Sequence, residues 1–406
     1  MKRDSNYFNK TPLLLAMMII ATGQVGVSIY LPSLPLMSAS LGVDASQIQL
    51  VVTLFLVGFG ASQLFYGPLS DAIGRRPVFL LGQSIYLIGT VLCLTFTESY
   101  IALIAGRLLQ GLGAGSASVL SRSVLRDSYD GSQLTKALSY MSVTASILPI
   151  IAPVFGGWIA HHLGWEAVFS FVLVYLLAIF TVGWWILPET LPYAKRRFKP
   201  SELLGNYGKL LGNWQVIQSA SYNWITYLGA VVTLSLFPFL MQKQLGMSAA
   251  EYGTIMLIPS LGLLIGTVAL NIFSKRLSQE HMLAAAIAII FMSGVSLLVS
   301  DFNSTNLVLA FTAFAFAQGI SFPISIAKLL APHKDQVGAV SALSGSIQMV
   351  LAGAVGGLLI EYWVSSQSAL GGLYILSAMS MLFFMLSVSV RKWVKPRTPI
   401  LTRDDH

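Results

Sequence analysis

The sequence predicts an all-α integral membrane protein, with twelve transmembrane helices in two pseudo-symmetric six-helix halves. Three observations predict it. The 406 residues are 55% hydrophobic and only 10% charged, against about 25% charged in a water-soluble domain, so lipid must be the main solvent. The apolar residues fall in twelve runs of about 20, each long enough as a helix to cross roughly 30 Å of hydrocarbon. The basic residues follow the same plan. All but two of the 24 Lys and Arg lie at the N-terminus, in the even-numbered loops or in the C-terminal tail, the exceptions being Lys243 and Arg107. The positive-inside rule then places both termini in the cytoplasm, and a multi-pass protein of a bacterial cell inner membrane is expected.

The elements follow in order. The first run, 13–35, is too long for the apolar part of a signal peptide and lacks a small-x-small cleavage site, so it reads as an uncleaved span. Its Gln24 and Ser28 are four apart and share a helix face, ahead of Tyr30-Leu-Pro32. The second run, 48–69, contains Gln63. The third, 77–97, contains Cys93, the single cysteine, which excludes a disulfide framework and a multi-thiolate metal site. The fourth, 101–121, contains Arg107. The fifth, 138–160, contains Pro153, Gly156 and Gly157. Proline removes a helical donor and bends the span, and small residues permit close helix contact. After the sixth run, 166–187, comes the longest polar break, with Lys195, Arg196, Arg197 and Lys199. It sets the expected organisation: a first half at 1–190, a linker at 191–213, a second half at 214–392 and a tail at 393–406. The second half has runs at 216–240, 252–273, 282–300, 306–327, 338–360 and 369–390. Tyr222, Trp224 and Tyr227 cluster in the seventh run, and Phe311, Phe314, Gln318 and Phe322 share one face of the tenth.

The main charged cluster is Gly67-Pro-Leu-Ser-Asp-Ala-Ile-Gly-Arg-Arg-Pro77, between the second and third runs. Asp71 and Arg75 are four apart, which suits an ion pair on one helical face, and Gly67, Pro68 and Gly74 permit a tight turn. A topology signal alone needs neither the acid nor the glycine spacing. All 16 Asp and Glu fall in loops, tails or span ends. No carboxylate is therefore expected at mid-membrane, and Asp71 is the first candidate for a proton site. Arg107 is the formally charged residue well within a span, and the cost of placing it there requires that it face the interior or water.

An interior of aromatics and amides suits amphipathic, uncharged or weakly charged molecules. The candidate cavity residues are Gln24, Ser28, Tyr30, Gln63, Tyr222, Trp224, Tyr227, Phe311, Phe314, Gln318 and Phe322. The five histidines lie in or near loops, and no cluster of nucleophile, metal ligands or paired acids is present, so an enzyme is not expected. No phosphate loop occurs, which leaves ATP out as a direct energy source. No cofactor, metal or nucleic acid is implied, and a monomer is expected. A receptor or scaffold fits poorly with a twelve-span body that has almost no extramembrane domain.

The halves echo each other at an offset of 200. Ala152-Pro-Val-Phe-Gly-Gly-Trp158 aligns with Ala352-Gly-Ala-Val-Gly-Gly-Leu358, and Asp71, Arg75 and Arg76 face Asn271, Lys275 and Arg276. Gln110-Gly111 also has a counterpart in Gln318-Gly319. Repeated halves that rock about a central site are one way to build alternating access.

The charged stretch 67–77 resembles the G-x-L-x-D-x-x-G-R-[KR] loop of the major facilitator superfamily. Arg107-Leu-Leu-Gln-Gly-Leu-Gly113 resembles the R-x-x-Q-G-x-G pattern of that family's fourth span, and Ala152-Pro-Val-Phe-Gly-Gly157 resembles its proline-glycine antiporter motif. With Gln24, Tyr30-Leu-Pro32, Gln63-Leu-Phe-Tyr-Gly67, Arg126-Asp127 and Pro188-Glu-Thr190, the chain is similar to the Bcr/CflA-type drug:proton antiporters. The resemblance implies a secondary active exporter of amphipathic drugs or toxic small molecules, driven by protons. The alternative is a proton-coupled exporter of one metabolite or siderophore. It also implies roles for residues. Asp71, Arg75 and an acid at the end of the fourth span, matched by Asp127, form a state-dependent gating cluster with Gly67, Gly74 and Arg76. Arg107 is linked to proton coupling, and Pro153, Gly156 and Gly157 seal the path. Bcr-type exporters often carry an acid where this chain has Ser28.

Overall fold

The computed structural model describes residues 10–191, 200–333 and 336–394. The linker residues Lys195, Arg196, Arg197 and Lys199, and all but the start of the tail, lie outside them. Twelve described helices are long and apolar enough to cross a membrane: Lys10–Leu41, Ala45–Ile73, Arg75–Thr95, Tyr100–Ser128, Gly131–Leu163, Trp165–Ile186, Trp214–Gln244, Ala249–Phe273, Gln279–Val299, Ser304–Leu330, Val337–Tyr362 and Gln367–Ser387. Several exceed the apolar run that announced them, because helical hydrogen bonding continues past the hydrocarbon into capped ends. Ser99, Asn213, Ser248, Ser278 and Asn303 each accept a hydrogen bond from a first-turn backbone N–H. An even number of spans brings both ends of the described chain to one face, called here the terminal face. The opposite face is the distal face.

The first span is not one straight helix. It runs Lys10–Ser28, tightens through a 3₁₀ turn at Leu31–Ser33 and resumes at Leu34–Leu41, with Pro32 and Pro35 at the first positions of the two later segments. The seventh span ends in a wide π-helical segment, Phe239–Gln244, and the eleventh is interrupted by another, Leu351–Val355. Part of the expected linker is a helix, Pro200–Leu211. It buries Tyr207 and Leu210 with Val216, Ala220, Leu329, Val340 and Leu343 at the terminal face, and Leu64 of the second span packs against the same cluster. The Tyr207 hydroxyl donates to the Leu64 carbonyl at 3.2 Å.

The duplication is visible in helix packing. A Cβ on Gly58 would strike the Leu108 carbonyl, and one on Gly111 the Phe55 carbonyl. The same contacts recur 208 positions later, Gly266 against Phe316 (58 and 108 become 266 and 316) and Gly319 against Leu263. The second–fourth pair is therefore rebuilt as the eighth–tenth pair. The fifth span sets Gly156 against Ile29 of the first span and Gly157 against Ala249 of the eighth. The eleventh mirrors it, with Gly356 near Leu228 and Val232 of the seventh and Gly357 against Thr53 of the second.

This register corrects one sequence pairing. At 208, Asn271 corresponds to Gln63, not to Asp71. The eighth span ends at Phe273, seven residues past Gly266, whereas the second continues to Ile73, fifteen past Gly58. Asn271, Lys275 and Arg276 are all exposed and occupy a shorter helix end. For this turn the match at 200 is one of composition, while the fifth and eleventh spans keep that offset in Gly156-Gly157 and Gly356-Gly357.

Candidate functional site

The turn between the second and third spans is a single residue, Gly74, at φ 113°. Only glycine takes that backbone readily, and a side chain there would also collide with the Glu189 carboxylate. The tightness sets Arg75 at the start of the third span, 4% exposed. Its backbone N–H donates to Glu189 Oε1 at 2.8 Å. Its Nε donates to Asp127 Oδ2 at 2.9 Å, and Nη1 donates to Asp71 Oδ1 at 2.6 Å and to Ser70 Oγ at 2.5 Å. The Thr190 hydroxyl donates to the same Asp127 oxygen at 3.3 Å, and Arg76 Nη2 donates to the Trp184 carbonyl at 2.6 Å. Gly67 contributes its carbonyl, which accepts from the Ser70 hydroxyl at 2.7 Å. One guanidinium thus ties the terminal-face ends of the second, third and fourth spans, and Glu189 adds the exit of the sixth. Both ion pairs between described residues use Arg75. The expected set of Asp71, Arg75 and Asp127 is brought together. Glu189 and Ser70 were not in it. Glu189 lies within Pro188-Glu-Thr190, and no local spacing points from Arg75 to a residue 114 positions away.

Arg107 is also buried, 1% exposed, and is held differently. Its Nε donates to the Val51 carbonyl at 3.0 Å, Nη1 to Gln110 Oε1 at 2.8 Å and Nη2 to the Gly26 carbonyl at 3.2 Å. Its guanidinium carbon lies 4.4 Å from the Tyr30 ring centre and 4.2 Å from that of Phe55, within cation–π range. Gln110 Nε2 then donates to Thr90 Oγ1 at 2.8 Å. Among the described residues no carboxylate pairs with Arg107. Asp71 and Arg107, both candidates for proton coupling, are not brought together. Asp71 follows Val51 by twenty residues along one helix, about 30 Å at 1.5 Å per residue.

The seam between the halves explains the proline-glycine motif. A Cβ on Gly253 of the eighth span would strike the Pro153 carbonyl, so the fifth and eighth spans touch backbone to backbone toward the distal face. Nearby, Gln242 Nε2 donates to the Pro32 carbonyl at 2.9 Å and Lys243 Nζ donates to Ser38 Oγ at 3.2 Å. The distal side of the seam is closed.

The proposed cavity residues divide. Gln63 is buried beside Gly345 of the eleventh span. Trp224 Nε1 donates to the Ser344 carbonyl at 3.0 Å, and the Tyr227 hydroxyl meets Met349 Sδ at 3.4 Å. These three lie along the seam, where Tyr227 and Met349 pack against the core of the first half. Gln24 is half-buried, and Ser28 spends its hydroxyl on the Gln24 carbonyl at 3.0 Å. Most of the others are packed within the two halves. Tyr30 is packed between Arg107 and Phe169 inside the first half. Tyr222, Phe311 and Phe314 belong to the core of the second half, Phe314 stacked on Tyr374 at 4.3 Å. Gln318 is buried on the same helix, while Phe322 is exposed. The shared face is therefore mainly core packing, because the apolar period of a core-facing stripe and of a cavity wall is the same.

Twelve spans in duplicated halves, with a charged turn braced across one half, are the architecture of a membrane transporter. The chain belongs to the major facilitator superfamily, whose profile matches residues 13–228 and again 219–403. It is 29% identical over 402 residues to Multidrug resistance protein D of Escherichia coli K12, covering 96% of this chain and 98% of that protein. It is 27% identical over 398 residues to Multidrug resistance protein MdtL of Escherichia coli O81, covering 97% and 98%. Its fold is similar to that of a D-xylose-proton symporter, with TM-score 0.70 at 13% identity over 93% of this chain and 98% of the other. It is also similar to the human organic anion transporter MFSD10, with TM-score 0.65 at 17% identity over 92% and 99%.

Proposed function

We propose that this protein is a proton-driven exporter of amphipathic small molecules, seated in a bacterial inner membrane with both termini in the cytoplasm. The observation that carries the reading is the braced turn. Arg75 binds the ends of three spans with two carboxylates, and among the described residues the second half has no counterpart in register. Such a brace lets the first half rock as a unit against the second, opening the terminal face while the distal seam is closed and the reverse. The two relatives named for multidrug resistance support toxic small molecules as the cargo. The seam residues Gln63, Trp224 and Tyr227 offer apolar contact with a few polar groups to an amphipathic guest. Asp71, one third exposed, is the carboxylate paired with Arg75 that solvent reaches from the terminal face and is the proposed proton site, and Arg107 orders the first half around the coupling path.

The test is transport by purified protein in vesicles with an acidic lumen, screened against drugs and small metabolites. Antiport predicts accumulation of several amphipathic compounds in the lumen with matching proton efflux, and substrate movement indifferent to the gradient would overturn it. A response confined to one metabolite would favour a single-substrate exporter. The same vesicles test the gate. Asp71→Asn should shift the balance of inward- and outward-open states, read by spin-label distances across the terminal face. An unchanged balance with unchanged transport would remove Asp71 from both roles.

A further inference from the structure

Arg122 has no place in the sites above. It lies near the terminal-face end of the fourth span, one helical turn before Arg126. That span is enclosed by its neighbours: no residue from Gly106 to Ser121 is exposed, and Arg122 and Arg126 are the exposed positions that follow. Arg122 keeps an accessible surface although protein atoms lie densely around its position. It therefore opens into a recess within the molecule, not onto the lipid face. Arg126 shows where the recess lies, since its Nη1 comes within 3.9 Å of where a side chain at Gly338 would begin, on the eleventh span of the other half. The charge one turn along the same helix is Arg126, of like sign. Arg122 makes no hydrogen bond or ion pair with any described residue, whereas the nearby Asp127 is committed to Arg75.

Like charges four apart on a helix repel, and a guanidinium in a protein-lined cleft is screened by less water than one in open solvent. An anionic group entering the cleft relieves that repulsion. We propose that Arg122 is a substrate-binding residue that receives the carboxylate or sulfonate head of an amphipathic anion, with Arg126 adding long-range attraction. The planar fork of arginine matches such heads by two parallel hydrogen bonds. The proposal rests on the reading of this protein as an exporter of amphipathic molecules, and it names the charge class that the exporter prefers.

The test uses the full chain in phosphatidylcholine nanodiscs and three probes that share one hexylnaphthalene body, carrying a sulfonate, a carboxamide or a trimethylammonium group. Wild type should bind the sulfonate about tenfold tighter than the amide, a discrimination typical of one charge-assisted contact, and the ammonium most weakly. Arg122→Gln should bring the sulfonate down to the amide's level and leave the amide within about twofold, while Arg122→Lys restores part of the loss. Unchanged sulfonate binding in Arg122→Gln, or equal loss of all three probes, overturns the proposal. If the residue instead holds a lipid headgroup, Arg122→Gln will retain less phosphatidylglycerol through purification while keeping wild-type sulfonate affinity, which also overturns it. A measurement on wild type alone covers a variant that fails to fold. Phenylglyoxal modification mapped to Arg122 should slow about tenfold when the sulfonate saturates the site and not with the amide, and equal rates would sink the idea. Gradient-driven uptake of the amide reads the export proposal separately. Its absence in wild type defeats proton antiport and leaves the binding comparison standing.

Discussion

Arg75 and Arg107 are both buried arginines in the first half, and they meet the same requirement by opposite means. Arg75, at a span end, is neutralised by Asp71 and Asp127 and held by Ser70. Arg107, well inside its span, is surrounded by two main-chain carbonyls, an amide oxygen and two aromatic rings. The difference shows what each can do. Ion pairs between separate span ends resist a change in span geometry and are lost when those ends part. A shell of carbonyls and rings has no group that titrates near neutrality, so it fixes the packing of the first, second and fourth spans at every physiological pH.

The largest effect follows from that contrast. Arg75→Leu leaves the buried Asp127 without its guanidinium, and breaking a buried pair by removing one partner costs about 3–5 kcal/mol. Thermal unfolding in nanodiscs should show a large loss at pH 7. Adding Asp127→Asn should recover part of that loss by removing the stranded charge. No recovery in the double variant would place the cost in packing instead. Gly74→Ala comes next, at about 1–3 kcal/mol, from a strained φ and the displaced Glu189. A variant as stable as wild type would show that the turn can relax without Glu189. Arg107→Leu should cost about 1–3 kcal/mol, the range for hydrogen bonds lost by buried groups, because the carbonyls left behind are neutral. The loss should not vary between pH 5 and 8. A cost equal to that of Arg75→Leu, or a dependence on pH, would break the comparison.

Much of this was legible in the sequence, for identifiable reasons. Twelve apolar runs and the placement of Lys and Arg report directly on the contrast between lipid and water, and that contrast fixes the span count. Asp71 and Arg75 were legible because four residues make one helical turn. Asp127 was reached only through the family resemblance, and Glu189 and Ser70 were not assigned, since a contact between span ends leaves no period in the chain. Hydropathy also fails inside the molecule. Phe314, stacked on Tyr374, and Tyr227, on the seam, carry similar apolar signals, because core, cavity and lipid faces are all non-aqueous. In the sequence Arg122 is one more basic residue beside an even-numbered loop, and only the protein packed around its position distinguishes it.

The smallest effect tests the second half against the first. If the offset of 200 described a true structural copy, restoring the acid by Asn271→Asp would rebuild a brace with Lys275, and stability would rise as it does for a partly buried pair. The packing register argues otherwise. Asn271 is equivalent to Gln63, the helix ends two residues after it, and its surroundings are exposed. An ion pair formed there is solvated and screened, worth at most about 0.5 kcal/mol. Asn271→Asp should therefore leave the unfolding temperature within error at both low and high salt, and transport unchanged. A salt-sensitive gain of more than about 1 kcal/mol, beyond what exposed pairs supply, would show that the second half keeps a working relic of the brace. The asymmetry between the two turns would then be one of degree, with Arg75 the stronger of two anchors.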